Sequence, residues 1–125
     1  MCGTEHSARR PSKRLHMSLV TLERYEEAKS LLRRTVPVAR RVLGEGHELT
    51  LTMRSLYAQS LYVDPSATLD DLRKAVTTLE DVTRIARRVL GGAHPLTENI
   101  ERGLRDARAA LRAREAPSPP GTRNR

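Results

Sequence analysis

The sequence predicts an all-α chain, a short solenoid of stacked helical hairpins. A duplication is the first reason. Ala39-Arg40-Arg41-Val42-Leu43-Gly44 recurs as Ala86-Arg87-Arg88-Val89-Leu90-Gly91, His47 recurs as His94, and Leu49-Thr50 recurs as Leu96-Thr97, always at an offset of 47 residues. Between segments 22–50 and 69–97, 12 of the 29 aligned positions are identical, and a period of this size marks helical arrays. The second reason is spacing: apolar residues in each copy recur at the three-and-four interval of a buried helical stripe. The third is composition. With no Phe, no Trp and only Tyr25, Tyr57 and Tyr62, the core must be built from Leu, Val and Ala. That suits helix packing better than a sandwich of strands, which favour β-branched and aromatic residues.

The first helix is predicted over residues 22–43. Its stripe is Leu22, Tyr25, Ala28, Leu32, Val36, Ala39 and Val42/Leu43, and Gly44 and Gly46 end it. Pro37 lies inside and removes one backbone hydrogen bond, at a cost of about 3 kcal/mol in an isolated helix. The second copy carries Arg84 there, and the match around it predicts one bent helix, not two separate ones. The next helix spans residues 48–63 and is expected to bury Leu49, Met53, Leu56, Tyr57, Ser60 and Leu61. Asp64-Pro65-Ser66 stops it, because proline disfavours helical geometry in the residue before it.

The third helix starts at a capping box, Thr68 to Asp71, whose hydroxyl and carboxylate satisfy the first backbone N–H groups. Its stripe is Leu72, Ala75, Leu79, Val82, Ala86 and Leu90, and Gly91-Gly92 end it. The fourth begins at Pro95, where proline suits the first turn. It is expected to bury Leu96, Ile100, Leu104, Ala107 and Leu111 and to fray near Glu115.

Three segments follow: a disordered basic tail over 1–16, a helical repeat domain over 17–115, and a disordered proline-rich tail over 116–125. Only residues 14–21, with Leu15, Leu19 and Val20, are available for a helix before the first. The count is therefore about two and a half units, fewer than the three that arrays usually need. The expectation is marginal stability, in a truncated product or a self-associating chain.

The net charge is +8, but four of the cations precede residue 17 and two follow residue 115. The body is nearly balanced, as a solvated helical surface should be. Arg40-Arg41 and Arg87-Arg88 make a basic helical protein associating with nucleic acid the alternative reading. The balanced body and the scarcity of aromatic side chains for base stacking weigh against it. No apolar run is long enough to span a membrane. Cys2 is the one cysteine and cannot form an internal disulfide, which places the chain inside the cell. Cytoplasmic residence is expected, with the nucleus open through Arg9-Arg10-Pro11-Ser12-Lys13-Arg14.

Chemistry is weakly represented. Cys2, His6 and His16 match no zinc spacing, so no metal and no cofactor is expected. His47 and His94 recur at the ends of the copies, where capping or packing of the next helix is the expected role. No nucleophile recurs beside them. The neighbouring carboxylates Glu26-Glu27 and Asp70-Asp71 diverge on a helix and share no site. Gly91-Gly92 follows a helix and does not open a phosphate loop. The chain is not expected to be an enzyme.

Gly-x-x-His-x-x-Thr after Ala-Arg-Arg-Val-Leu resembles the kinesin light chain type of tetratricopeptide repeat. His94-Pro95-Leu96-Thr97 fits that pattern fully, while His47-Glu48-Leu49-Thr50 lacks the proline. Glu23-Arg24-Tyr25-Glu26-Glu27-Ala28 is similar to the family's helix start, with Glu23 in place of its glycine. Asp70-Asp71-Leu72-Arg73-Lys74-Ala75 stands there in the second copy. The resemblance covers roughly residues 17–111. It implies a tetratricopeptide-like right-handed superhelix whose concave groove holds a peptide or helix of a partner protein.

The family's peptide-clamping asparagine corresponds by position to Ser55 and Arg102, so its peptide preference does not transfer. Helical spacing around these two adds Thr52, Gln59, Tyr62, Asn99 and Asp106 as candidate groove residues. The expected function is protein–protein interaction, as a module or a piece of a scaffold.

Overall fold

The computed structural model describes residues 24–116. Among them are four helices and no strand: α1 over 24–42, α2 Glu48–Tyr62, α3 Leu69–Val89 and α4 Pro95–Glu115. The fold is all-α, a tetratricopeptide-like arrangement of helical hairpins. The tail predicted for 1–16, the tail predicted for 116–125 apart from Ala116, the helix predicted for 14–21, and Leu22 lie outside the described residues.

The two copies build the same junction twice. Gly44 and Gly91 adopt φ of 98° and 95°, a left-handed geometry that favours glycine, and each closes its helix there. The chain then turns into an extended histidine. The Nδ1 of His47 accepts the N–H of Leu49 at 3.0 Å, and the Nδ1 of His94 accepts the N–H of Leu96 at 3.0 Å. Each imidazole thus caps the next helix and satisfies one of its orphan donors. Nδ1 must be unprotonated to accept, so the ring hydrogen sits on Nε2, which in His94 faces Glu48 Oε2 at 3.2 Å.

Three residues after each histidine the copies lock back onto the preceding helix. The Thr50 hydroxyl donates to the Ala39 carbonyl at 3.3 Å, and that of Thr97 donates to Ala86 at 3.5 Å. Both threonines are fully buried. Removing a cap costs about 1 kcal/mol, so His94→Ala should lower the urea midpoint by that equivalent, while His94→Asn, which keeps an acceptor, should recover most of it.

α3 sits at the centre. It packs along α2 on one side and α4 on the other, and α2 also touches α4. Leu72, Ala75, Leu79, Val82 and Ala86 are buried as the stripe predicts, and Val76 and Ile85 join them because α3 has neighbours on two sides. Thr68 and Asp71 form the reciprocal capping box, with two 3.1 Å bonds. On α4, Ile100, Leu104 and Ala107 are buried, with Leu96 and Leu111 packed partly against them.

α1 is helical without interruption through Pro37. Its predicted stripe turns inward, but only Ala39 is fully buried. Val42 and Leu43, predicted at the end of that stripe, are exposed. Leu31 and Val38 are exposed as well, and among the described residues no helix precedes α1 to cover them.

α2 departs most from the prediction. Leu49 is 50% and Leu56 47% exposed, whereas Thr50, Leu51, Arg54, Ala58, Ser60 and Leu61 are buried. The helix is wedged between α1 and α3, and a helix with two neighbours needs two faces, not one stripe. One face meets α1 through Thr50. The other meets α3 through Arg54, which pairs with Asp81 at 2.9 Å and with Glu45 at 3.4 Å. A buried guanidinium paired in this way cannot be recognised by a hydrophobic pattern.

The longer α2–α3 connection is also structural. The Asp64 carboxylate is buried and accepts the Ser66 N–H at 2.9 Å, the Ser66 hydroxyl at 2.8 Å and the Lys29 ammonium of α1 at 3.2 Å. Burial pushes the Asp64 carboxyl up, but the Ser66 bonds and the Lys29 charge outweigh it and hold it below its ordinary value. Lys29 is pushed down by burial, and Glu26 and Asp64 outweigh that, so it is held above its ordinary value. A depressed carboxylate adds stability above its unfolded pKa, near pH 4, and loses it as pH falls. A raised lysine adds stability below its unfolded pKa, near 10.4, and loses it as pH rises past its folded value. The pair should therefore stabilise the fold between those limits. Asp64→Asn should flatten the acid side of the stability profile measured by urea unfolding from pH 7 to pH 3.

Candidate functional site

α2 and α4 run side by side with α3 beneath, and a cleft of about 250 Å³ opens between them. α2 contributes Thr52, Ser55, Gln59 and Tyr62 to its walls, and α4 contributes Asn99, Arg102 and Asp106. All seven groove residues named from the sequence thus line one surface. They meet because each set follows helical spacing on one face, and the 47-residue offset places the two faces side by side.

Several of these side chains are already committed. The Thr52 hydroxyl donates to Glu48 O at 2.9 Å and that of Ser55 donates to Thr52 O at 2.8 Å, leaving only their lone pairs facing the cleft. Arg102 donates to Asn99 Oδ1 at 3.5 Å. Tyr62 is half-buried. Burial, helped by the Asp106 carboxylate, raises its phenol above its ordinary pKa, so it remains a neutral hydroxyl at physiological pH.

The floor was not named from the sequence. Leu56, Leu79, Leu96 and Ile100 line it together with Gly103. Leu56, Leu96 and Ile100 fit a core stripe equally well, and periodicity alone cannot tell a core leucine from a groove leucine. Gly103 did leave a signal: a lone glycine inside a helical pattern marks a close approach. A β-carbon placed there would stand 3.7 Å from the Tyr62 hydroxyl and 4.0 Å from Leu79 Cδ1, so the missing side chain leaves the cleft open.

The surface combines an apolar floor with amide, hydroxyl and opposite-charge groups on its rim. It is smaller than the roughly 300–1,000 Å³ of a drug-sized ligand or cofactor pocket, and it matches one or two peptide side chains. Among the described residues no group of three His, Cys, Asp or Glu is placed to hold a metal ion. No helix there is long and apolar enough to cross a membrane.

Helical hairpins stacked at a repeated junction, with a groove along one helix of each, define a helical-repeat class of protein. Residues 17–48 match the family model described as tetratricopeptide repeat, a stretch that spans α1 and the first junction. This supports reading the chain as a tetratricopeptide repeat protein. No curated protein and no solved structure matches the chain.

Proposed function

We propose that the chain is a protein-interaction module of kinesin light chain-like tetratricopeptide type, which holds a peptide or helix of a partner protein in the α2/α4 groove. The observation that carries this is the meeting of Ser55, Gln59, Asn99 and Arg102 over a floor of leucines. Gln59 and the amide of Asn99 can pair with a peptide main chain. Leu56 and Leu96 can receive one apolar side chain, and Arg102 and Asp106 set the charge it meets. Each polar group offers what an extended backbone needs, and none is poised as a nucleophile.

The test is selection of peptides from a random display library against the full chain, followed by titration of the best peptide. Ser55→Ala/Gln59→Ala/Arg102→Ala should weaken it about tenfold or more, the scale of one lost hot spot. Gly103→Leu should do the same by filling the floor, whereas Gly103→Ala should raise stability by about 1 kcal/mol through helix propensity. Failure to select any peptide, or equal affinity of the triple variant, would remove the proposal.

A further inference from the structure

The opposite side of α4 carries a second surface. α2 turns Arg54, Ala58 and Leu61 toward α3, and Ala58 and Leu61 are buried there. At the same offset, α4 carries Glu101, Arg105 and Arg108. Where the first copy has Val36-Pro37, the second has Thr83-Arg84. The seat that receives α3 in the first copy is thus rebuilt in the second as an open cleft of about 500 Å³. Arg84, Arg87, Arg105 and Arg108 surround it with Glu80 and Glu101, and Leu104 lies at its base.

Cations exceed anions along its lining, four to two, and by four to three once Asp81, the partner of Arg84, is counted. Arg87 pairs with Glu101, Arg108 pairs with Glu80 at 3.1 Å, and Arg84 pairs with Asp81. Arg105 has no carboxylate within ion-pair distance among the described residues. The Thr83 hydroxyl lines the same cleft and is the one buried side-chain polar atom without a hydrogen-bond partner there. An unpaired guanidinium and a seat shaped by the repeat for a helix call for the same thing: an anionic helix.

We propose that the α3/α4 cleft docks an acidic helix of another protein, seated on α4 as α3 is seated on α2. Carboxylates one turn apart on that helix would meet Arg105 and Arg84, and an apolar residue between them would rest on Leu104. A nucleic acid fits less well, because Glu80 and Glu101 interrupt the cations and no aromatic ring lines the cleft. Residues 117–125 carry two arginines, three prolines and no Asp or Glu, the wrong chemistry for this seat. A second copy would bring the exposed Leu31, Val38 and Val42 of its α1 against guanidinium groups.

The experiment uses the full chain and three probes: an acetylated helical peptide with Glu at every fourth position beside a Leu stripe, its Lys-for-Glu counterpart, and a single-stranded DNA oligonucleotide. Each is titrated at low salt against the wild-type chain, Arg84→Glu/Arg105→Glu, Arg105→Ala, Gly103→Leu and the control Arg33→Glu/Arg34→Glu on α1. The Glu peptide should bind the wild type. The cleft reversal should weaken it about tenfold or more and improve the Lys peptide, while the α1 control and Gly103→Leu leave it unchanged. Should the reversal variant unfold, a several-fold loss in Arg105→Ala supports the same conclusion. No binding of the Glu peptide, equal loss in cleft and control variants, or tighter binding of the DNA would overturn the proposal.

Discussion

Leu79→Ala should lower the stability of the chain by about 3 kcal/mol, within the range for truncating a buried leucine. Leu79 is 1% exposed and sits where α3 meets both neighbours. Three side-chain carbons vanish there, and a site held by two helices collapses poorly around the void. For a domain of this size each kcal/mol moves the melting point by about 4–8 °C, so a fall of roughly 12–24 °C is expected by circular dichroism. Leu31→Ala on α1 supplies the contrast. That side chain is 54% exposed, and its loss should stay within about 0.5 kcal/mol. Equal effects at the two positions would mean that the hairpins do not pack around α3.

Pro37→Arg should act in the opposite direction. Pro37 is exposed in the interior of α1, where it offers no N–H to the carbonyl of Arg33, one turn earlier. Relief of that defect is worth about 3 kcal/mol, from which up to about 1 kcal/mol is subtracted because proline also restricts the unfolded chain. A net gain of about 2 kcal/mol in urea unfolding is expected. Arg84 at the equivalent point of α3 shows that the repeat accommodates the arginine in a helix. No gain would mean that α1 adds little to the cooperative unit, so that its defect goes unfelt.

How much of this was legible depended on how many neighbours each helix has. The junctions were plain, because Gly44, His47 and Thr50 recur as residues whose chemistry serves one local geometry. α4 read correctly because it buries one stripe. α2 did not, because it buries two faces and one of them is held by Arg54 and Thr50, polar groups whose partners lie on other helices. The groove rim was reached by register: once Ser55 and Arg102 were aligned, Gln59 and Asn99 followed from helical spacing. Its floor was not, since Leu56, Leu79 and Leu96 look like any core leucine until the gap above Gly103 is seen. The cationic cleft on the far side of α4 was hidden in a different way. Arg105 and Arg108 read as ordinary surface cations until the structure shows that their counterparts, Ala58 and Leu61, lie beneath α3.

The most direct measurement is a ¹⁵N chemical-shift titration of the full chain with a peptide selected against it. Binding in the α2/α4 groove should shift the amides of Ser55, Gln59, Asn99, Arg102 and Gly103 together and saturate at one peptide per chain, with α1 unmoved. Shifts confined to α1, or scattered over the surface without saturation, would contradict the groove as the place where this protein meets its partner.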